Sequence, residues 1–170
     1  KWASKTGRKI PKIRVGQVYW GWQMCNLTEV NASTVESEEE LYDRAKAAAI
    51  IGTAQAGYTD FPYLGWISEA ICNREALLGV SITGIMDSPA IALDPEVQRT
   101  AAQIAVETNI EIANLIGIKT AARVTCVKPS GTASIVLGAV GSGIHTHHAK
   151  KYFRRIRANP DCPIYKHFKS

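Results

Sequence analysis

Val127-Lys128-Pro129-Ser130-Gly131-Thr132-Ala133-Ser134 follows a short apolar run, Ala121 to Val127, that reads as a buried strand. The stretch is dense in hydroxyls, and Gly131 allows the backbone close to a ligand. A helix starting over Ile135 to Leu137 would aim free backbone N–H groups at an anion. Strand, hydroxyl-and-glycine turn and helix start together describe a phosphate cradle, with Ser130, Thr132 and Ser134 as side-chain donors. The stretch lacks the G-x-x-x-x-G-K-[ST] pattern of the P-loop, and an ordinary capped turn fits the same residues.

Working outward, the elements alternate. Ser37 with Glu40 three residues on is a capping box, and Glu38 to Glu40 suit the positive end of a helix dipole. Leu41, Ala45, Ala48 and Gly52 keep helical spacing, and the run closes at Gly57. With Ala47 to Ile51 and Ala54 this helix is apolar on several sides, which implies that it is well buried, and its Ala/Gly face permits close packing. A second helix is predicted over Trp66 to Leu77, then a buried strand over Leu78 to Met86. Asp94-Pro95 is a cap followed by proline at the first helical position. From there Val97, Ala101, Ile104, Thr108, Ile112 and Leu115 form one stripe ending at Gly117, with Arg99, Gln103, Glu107 and Glu111 on the outer face. Gly138 to Gly143 reads as flexible. Weak strands are predicted over Val15 to Trp20 and Tyr152 to Arg157, a strand or strand end over Cys25 to Asn31, and a helix over Pro163 to Phe168. The order implies an α/β protein with parallel strands.

The 170 residues are 46% hydrophobic and 21% charged, a globular composition. No apolar run approaches the roughly 20 residues of a membrane span, and the basic N-terminus lacks the apolar stretch of a signal peptide. The expectation is a cytoplasmic protein without a membrane partner. The net charge of +5 is concentrated: residues 1–14 hold six basic residues and no acid, leaving 14 of the 20 basic residues against 15 acidic ones. A near-neutral body argues against a domain built for nucleic acid. The basic stretch with Trp20 and Trp22 as stacking platforms keeps a nucleic-acid-binding protein as an alternative. A nucleotide- or anion-binding module without chemistry is another.

Cys25, Cys72, Cys126 and Cys162 are widely spaced, with no C-x-x-C. Cys72 and Cys126 read as core thiols. His145, His147 and His148 have spacing compatible with zinc or nickel, but no cysteine or carboxylate lies close in sequence to complete a site, so no metal is expected. Asp60 and Asp87 read as caps or turns.

Several segments together resemble adenosylcobalamin-dependent (class II) ribonucleotide reductase. They are Cys25 to Ser33 (CNLTEVNAS), Ile51 to Phe61 (IGTAQAGYTDF), Leu77 to Gly84 (LLGVSITG), Thr125 to Ser134 (TCVKPSGTAS), Ser142 to Tyr152 (SGIHTHHAKKY) and Arg154 to Asn159 (RRIRAN). The resemblance runs from about Gln23 to the C-terminus. It implies part of a ten-stranded α/β barrel, an adenosylcobalamin cofactor, a ribonucleoside di- or triphosphate substrate and an external dithiol reductant such as thioredoxin. It also implies thiyl-radical conversion of ribonucleotides to 2′-deoxyribonucleotides. By the same resemblance Cys25 is one of the two reducing cysteines, and Ser130, Gly131 and Thr132 bind the nucleotide phosphates.

One departure sets a further expectation. Family members carry an Asn-x-Cys-x-Glu segment shortly before C-N-L, which supplies the radical cysteine and the catalytic glutamate. Ile13 to Trp22 holds neither a cysteine nor an acid. Residues 1–22 are thus read as a basic stretch unlike the family, and 23–170 as a partial barrel domain, inactive alone. The rest of the barrel, with the partner of Cys25, is expected elsewhere, in a missing portion or in another chain.

Overall fold

The computed structural model describes residues 16–149, 151–153, 155 and 157–170. Among them the chain is mixed α/β. The elements are β1 (Asn26–Asn31), α1 (Glu38–Ala56), α2 (Gly65–Glu75), β2 (Leu78–Thr83), a 3-10 turn (Ile85–Asp87), α3 (Pro89–Ala92), α4 (Pro95–Ile116), α5 (Thr132–Val136) and α6 (Pro163–Lys169).

β1 and β2 pair in parallel, from Asn26 opposite Leu78 to Asn31 opposite Thr83. The predicted strand over 121–127 is reduced to one bridge, Val80 with Thr125. The segment does run along the free side of β2: Leu78 N donates to Arg123 O at 3.0 Å, Val80 N to Val124 O at 2.8 Å, and Cys126 N to Val80 O at 3.0 Å. Its near end is held by other partners, with Ala122 N donating to Glu75 O and Ala121 N to the Asn109 side-chain oxygen Oδ1, so the ladder stays short. The weak strands predicted over Val15 to Trp20 and Tyr152 to Arg157 are absent among the described residues. Val15, Arg154 and Ile156 lie outside them.

The helices follow their signals. Ser37 Oγ accepts from Glu40 N at 3.2 Å, while the Glu40 carboxylate reaches Glu36 N at 3.0 Å, so the capping box closes one residue early. Gly57 ends α1 with right-handed backbone rather than the left-handed cap expected of a glycine. Asp94 Oδ1 caps α4 through Glu96 N and Val97 N, and Gly117 closes it at φ +73°.

α1 packs on α4 and also covers both strands. The core gathers Val30, Leu41, Ala45, Ala49, Leu78, Val80, Ala101 and Ala105. A methyl group on Gly52 would sit 3.2 Å from Leu78 Cγ, so this glycine lets α1 lie close on β2. The far side of α1 is exposed at Ile50 and Ile51, against the expectation of burial on several sides. The buried face of α4 is also displaced: Val97, Ala101, Ala105, Thr108, Asn109 and Ala113 face inward, and Leu115 is 78% exposed. Small residues win the seam because they permit the closest approach of two helices.

Inside it, Asn109 Nδ2 donates to Thr53 Oγ1 at 2.9 Å, and Thr53 Oγ1 donates to Ala49 O at 2.7 Å. Asn109 Oδ1 accepts from Ala121 N, tying the helix pair to the segment that leads into the 127–134 turn. No helix among the described residues is long and apolar enough to cross a membrane.

Candidate functional site

Side chains alternate across a strand, and residues paired in register share a face. The helix-facing side takes Val30, Leu78 and Val80. The opposite side takes Leu27 and Glu29 from β1, Gly79, Ser81 and Thr83 from β2, and Cys126 and Lys128 from the third segment, with Cys25 just ahead of β1. The same alternation that builds the core thus assembles a polar face.

Glu29 is its centre. Its side chain is 7% exposed, and Lys128 Nζ lies 3.1 Å from Oε2. Ser81 Oγ donates to Oε1 at 3.1 Å, and Ser130 Oγ, 101 positions along the chain from Glu29, donates to the same oxygen. A buried carboxylate needs such partners, since desolvation of an unpaired charge costs several kcal/mol.

Ser130 and Gly131 both have positive φ, +61° and +54°. This is uncommon for serine. Two bonds brace the turn: Ser130 to Glu29, and Ser142 Oγ to Pro129 O at 2.6 Å. Helix α5 begins at Thr132, three residues earlier than expected, and has only five residues. Gly131 N donates to Pro129 O and Ala133 N to Ser130 O, so two amides of the turn are engaged locally. Ser134 is buried, its hydroxyl bonded to Gly131 O and Ser142 Oγ. Thr132 is exposed, and its side chain makes no hydrogen bond among the described residues.

The Gly138–Gly143 stretch, read as flexible, is fastened behind this turn. Gly143 N donates to Thr83 Oγ1 at 2.9 Å, Gly84 N to Gly141 O at 3.0 Å, and Asp87 accepts from Val140 N and Gly141 N. His147 Nε2 stands 2.6 Å from Asp87 Oδ1. His148 packs edge-on to Tyr152. Asp87 is therefore the anchor of the loop, a role its sequence position as a turn former only hinted at.

Cys25 is exposed and free. Partial burial still dominates its thiol and pushes the pKa up, while Lys128 pulls it down. Cys126, read as core, is only half-buried. Its thiol is pushed up by burial and by the neighbouring Cys25, with Lys128 lowering and Glu29 raising it. The core reading failed because the register is irregular here: Leu78 N donates to Arg123 O and Val80 N to Val124 O, so simple alternation breaks between Val124, in the core, and Cys126, beside Gly79. Cys72 is buried as expected: Met24 N donates to its Sγ at 3.4 Å.

The structure brings Cys25 and Ser130 to one face, and adds Glu29, Lys128 and Cys126, which the sequence reading left out. Their period-2 spacing, Cys25-x-Leu27-x-Glu29 and Cys126-x-Lys128, was the available signal.

No family model matches the chain. It is 25% identical, over an alignment of 170 residues, to the adenosylcobalamin-dependent ribonucleoside-triphosphate reductase of Lactobacillus gasseri. It is 25% identical over 168 residues to that of Lactobacillus leichmannii. Each match covers 82% of this chain and 22% of the relative, so the chain spans about a fifth of the length of the curated relatives it matches. A solved B-12 dependent (class II) ribonucleotide reductase superposes with a TM-score of 0.60 at 25% identity, over 74% of this chain and 21% of that one. In sequence and in fold, over most of its own length, this chain is similar to adenosylcobalamin-dependent ribonucleotide reductases.

Proposed function

We propose that residues 23–170 form part of a ribonucleotide reductase barrel of ten strands, with the polar face directed at the substrate. In this reading Ser130, Gly131 and Thr132 receive the phosphates of a ribonucleoside di- or triphosphate, and Cys25 is one of two reducing thiols. One observation carries the proposal: an exposed thiol and a hydroxyl-rich turn, far apart in sequence, meet on one face of the sheet around Lys128 and Glu29.

The overall chemistry balances as ribonucleotide plus two thiols giving 2′-deoxyribonucleotide, water and one disulfide. An external dithiol such as thioredoxin then exchanges with that disulfide and restores the thiols. Lys128 contributes positive charge beside the turn. Ser130 exchanges its bond to Glu29 for one to a phosphate oxygen, and Glu29 keeps Lys128 and Ser81 as partners.

The residues gathered here are two thiols, a carboxylate, an ammonium and hydroxyls. They fit a sugar phosphate and not the broad apolar face of a corrin, so this chain is assigned no contact to adenosylcobalamin and no radical step.

The test is protection of Cys25. Iodoacetamide labelling with and without a ribonucleoside triphosphate should show slower modification of Cys25 and an unchanged rate at Cys162. Equal Cys25 rates in the two conditions contradict the proposal.

A further inference from the structure

The 127–134 turn already holds an anion, one that the chain itself supplies. Ser130 Oγ donates to Glu29 Oε1, Ser81 Oγ donates to the same oxygen at 3.1 Å, and Lys128 Nζ lies 3.1 Å from Oε2. Glu29 thus draws on Ser130 and Lys128 for what an ionised phosphate would draw on, a hydroxyl proton and a positive charge. Its side chain is 7% exposed, so little water weakens either contact.

A hydroxyl carries one proton to donate. The Ser130 proton goes to Glu29, and an ionised phosphate oxygen can only accept. Ser130 therefore serves one of the two at a time. The carboxylate also cancels the charge that Lys128 brings to the turn. Both effects oppose an incoming anion.

Glu29 shares the bracing of the turn with other contacts. Ser142 Oγ donates to Pro129 O at 2.6 Å. Gly143 backs the turn so closely that an added methyl group would sit 2.5 Å from Lys128 O and 3.1 Å from Ser130 Oγ. With these in place, weakening the bond to Glu29 releases the Ser130 hydroxyl without releasing the backbone.

We propose that Glu29 is a built-in competitor for the phosphate site. It sets the affinity of the turn by holding Ser130 and neutralising Lys128 until a phosphate takes Ser130 from it. This role rests on the phosphate reading of the turn and names the residue that opposes it. Lys128 and Ser81 stay with Glu29 when Ser130 leaves, so the buried carboxylate keeps partners throughout. A support and a competitor differ in sign: replacing a support weakens binding, and replacing a competitor strengthens it.

The test is equilibrium titration of inorganic triphosphate onto the native chain, Glu29→Gln, and Ser130→Ala with Thr132→Ala, each checked for folding by circular dichroism. Glutamine keeps the shape of Glu29 but offers Ser130 a neutral acceptor and leaves Lys128 uncompensated. Glu29→Gln should bind roughly tenfold more tightly, the difference between a charge-assisted bond and a neutral one. Equal or weaker binding in folded Glu29→Gln overturns the competitor. A measurement on the native chain covers a variant that fails to fold. The Glu29 carboxyl carbon resonance should shift in step with triphosphate binding as Ser130 leaves, and a resonance unmoved at saturation overturns the competitor as well. The outcomes separate the two assignments. If the double variant weakens binding while Glu29→Gln does not tighten it, the phosphate turn stands and the competitor falls. Binding indifferent to the double variant removes the phosphate turn, and the competitor with it.

Discussion

Lys128 Nζ stands 3.1 Å from Glu29 Oε2, with 22% of the lysine side chain and 7% of the glutamate exposed. The pair joins β1 to the 127–134 turn, and the two thiols and Ser130 are arranged around it. Removing one partner of a buried pair strands the other charge. Lys128→Met should lower stability to urea by about 3 kcal/mol, the low end of the range for such pairs because the lysine end is partly wet. The double variant Glu29→Met with Lys128→Met should recover part of that loss. A double variant at least as unstable as the sum of the single changes contradicts the pairing.

The thiol of Cys25 reacts as thiolate. Burial raises its pKa, so the thiolate appears only as pH climbs past the usual thiol range, and Lys128 works against that rise. The iodoacetamide rate at Cys25 should still be increasing where an ordinary thiol has levelled off. Lys128→Met removes the lowering influence and should move the midpoint to higher pH. A plateau below the usual range, or a midpoint that falls in Lys128→Met, contradicts the assignment.

Asn109 is 1% exposed and Thr53 fully buried, and Asn109 bonds both Thr53 Oγ1 and Ala121 N. Asn109→Ala leaves a buried hydroxyl and an amide without their partner, a cost of about 2–4 kcal/mol with the cavity included. Hydrogen exchange at residues 121–126 should accelerate beyond the global change. Unaltered local protection would detach this network from the turn.

Asp87 holds Val140 N, Gly141 N and His147 Nε2. Asp87→Ala should release the 138–147 loop, with faster exchange at Val140 and Gly141 and a loss of about 1.5–3 kcal/mol from bonds to a charged acceptor. Unchanged exchange at these two amides would mean that the bonds at Thr83, Gly84 and Ser142 fasten the loop without Asp87.

The sequence carried much of this fold in local signals. Ser37, Asp94-Pro95 and Gly117 set the ends of the two long helices, because caps act within one turn of themselves. The buried strand expected over Leu78 to Met86 forms over Leu78–Thr83 and gives way to the 3-10 turn at Ile85–Asp87. The third segment was over-read, since apolar residues state a tendency to be buried while ladder length depends on distant partners such as Glu75 and Asn109. Cys25 and Ser130 to Thr132 were the candidates the sequence offered, and the structure brings Cys25 and Ser130 to the polar face. Glu29, Lys128 and Cys126 emerged only once the register of β1 on β2 and the Val80–Thr125 bridge put them on one face. Such placement depends on pairings across more than forty residues.

The turn at Ser130, Gly131 and Thr132 is proposed to hold nucleotide phosphate. Thr132 is the clean probe, being exposed and outside the bonds that brace the turn. Equilibrium titration of a ribonucleoside triphosphate onto the native chain, Thr132→Ala, and Ser130→Ala with Thr132→Ala measures it directly. The expected result is weaker binding in Thr132→Ala and a loss of about 1–3 kcal/mol, roughly 5- to 150-fold in Kd, in the double variant. An unchanged dissociation constant in the double variant, with the fold intact by circular dichroism, would contradict it.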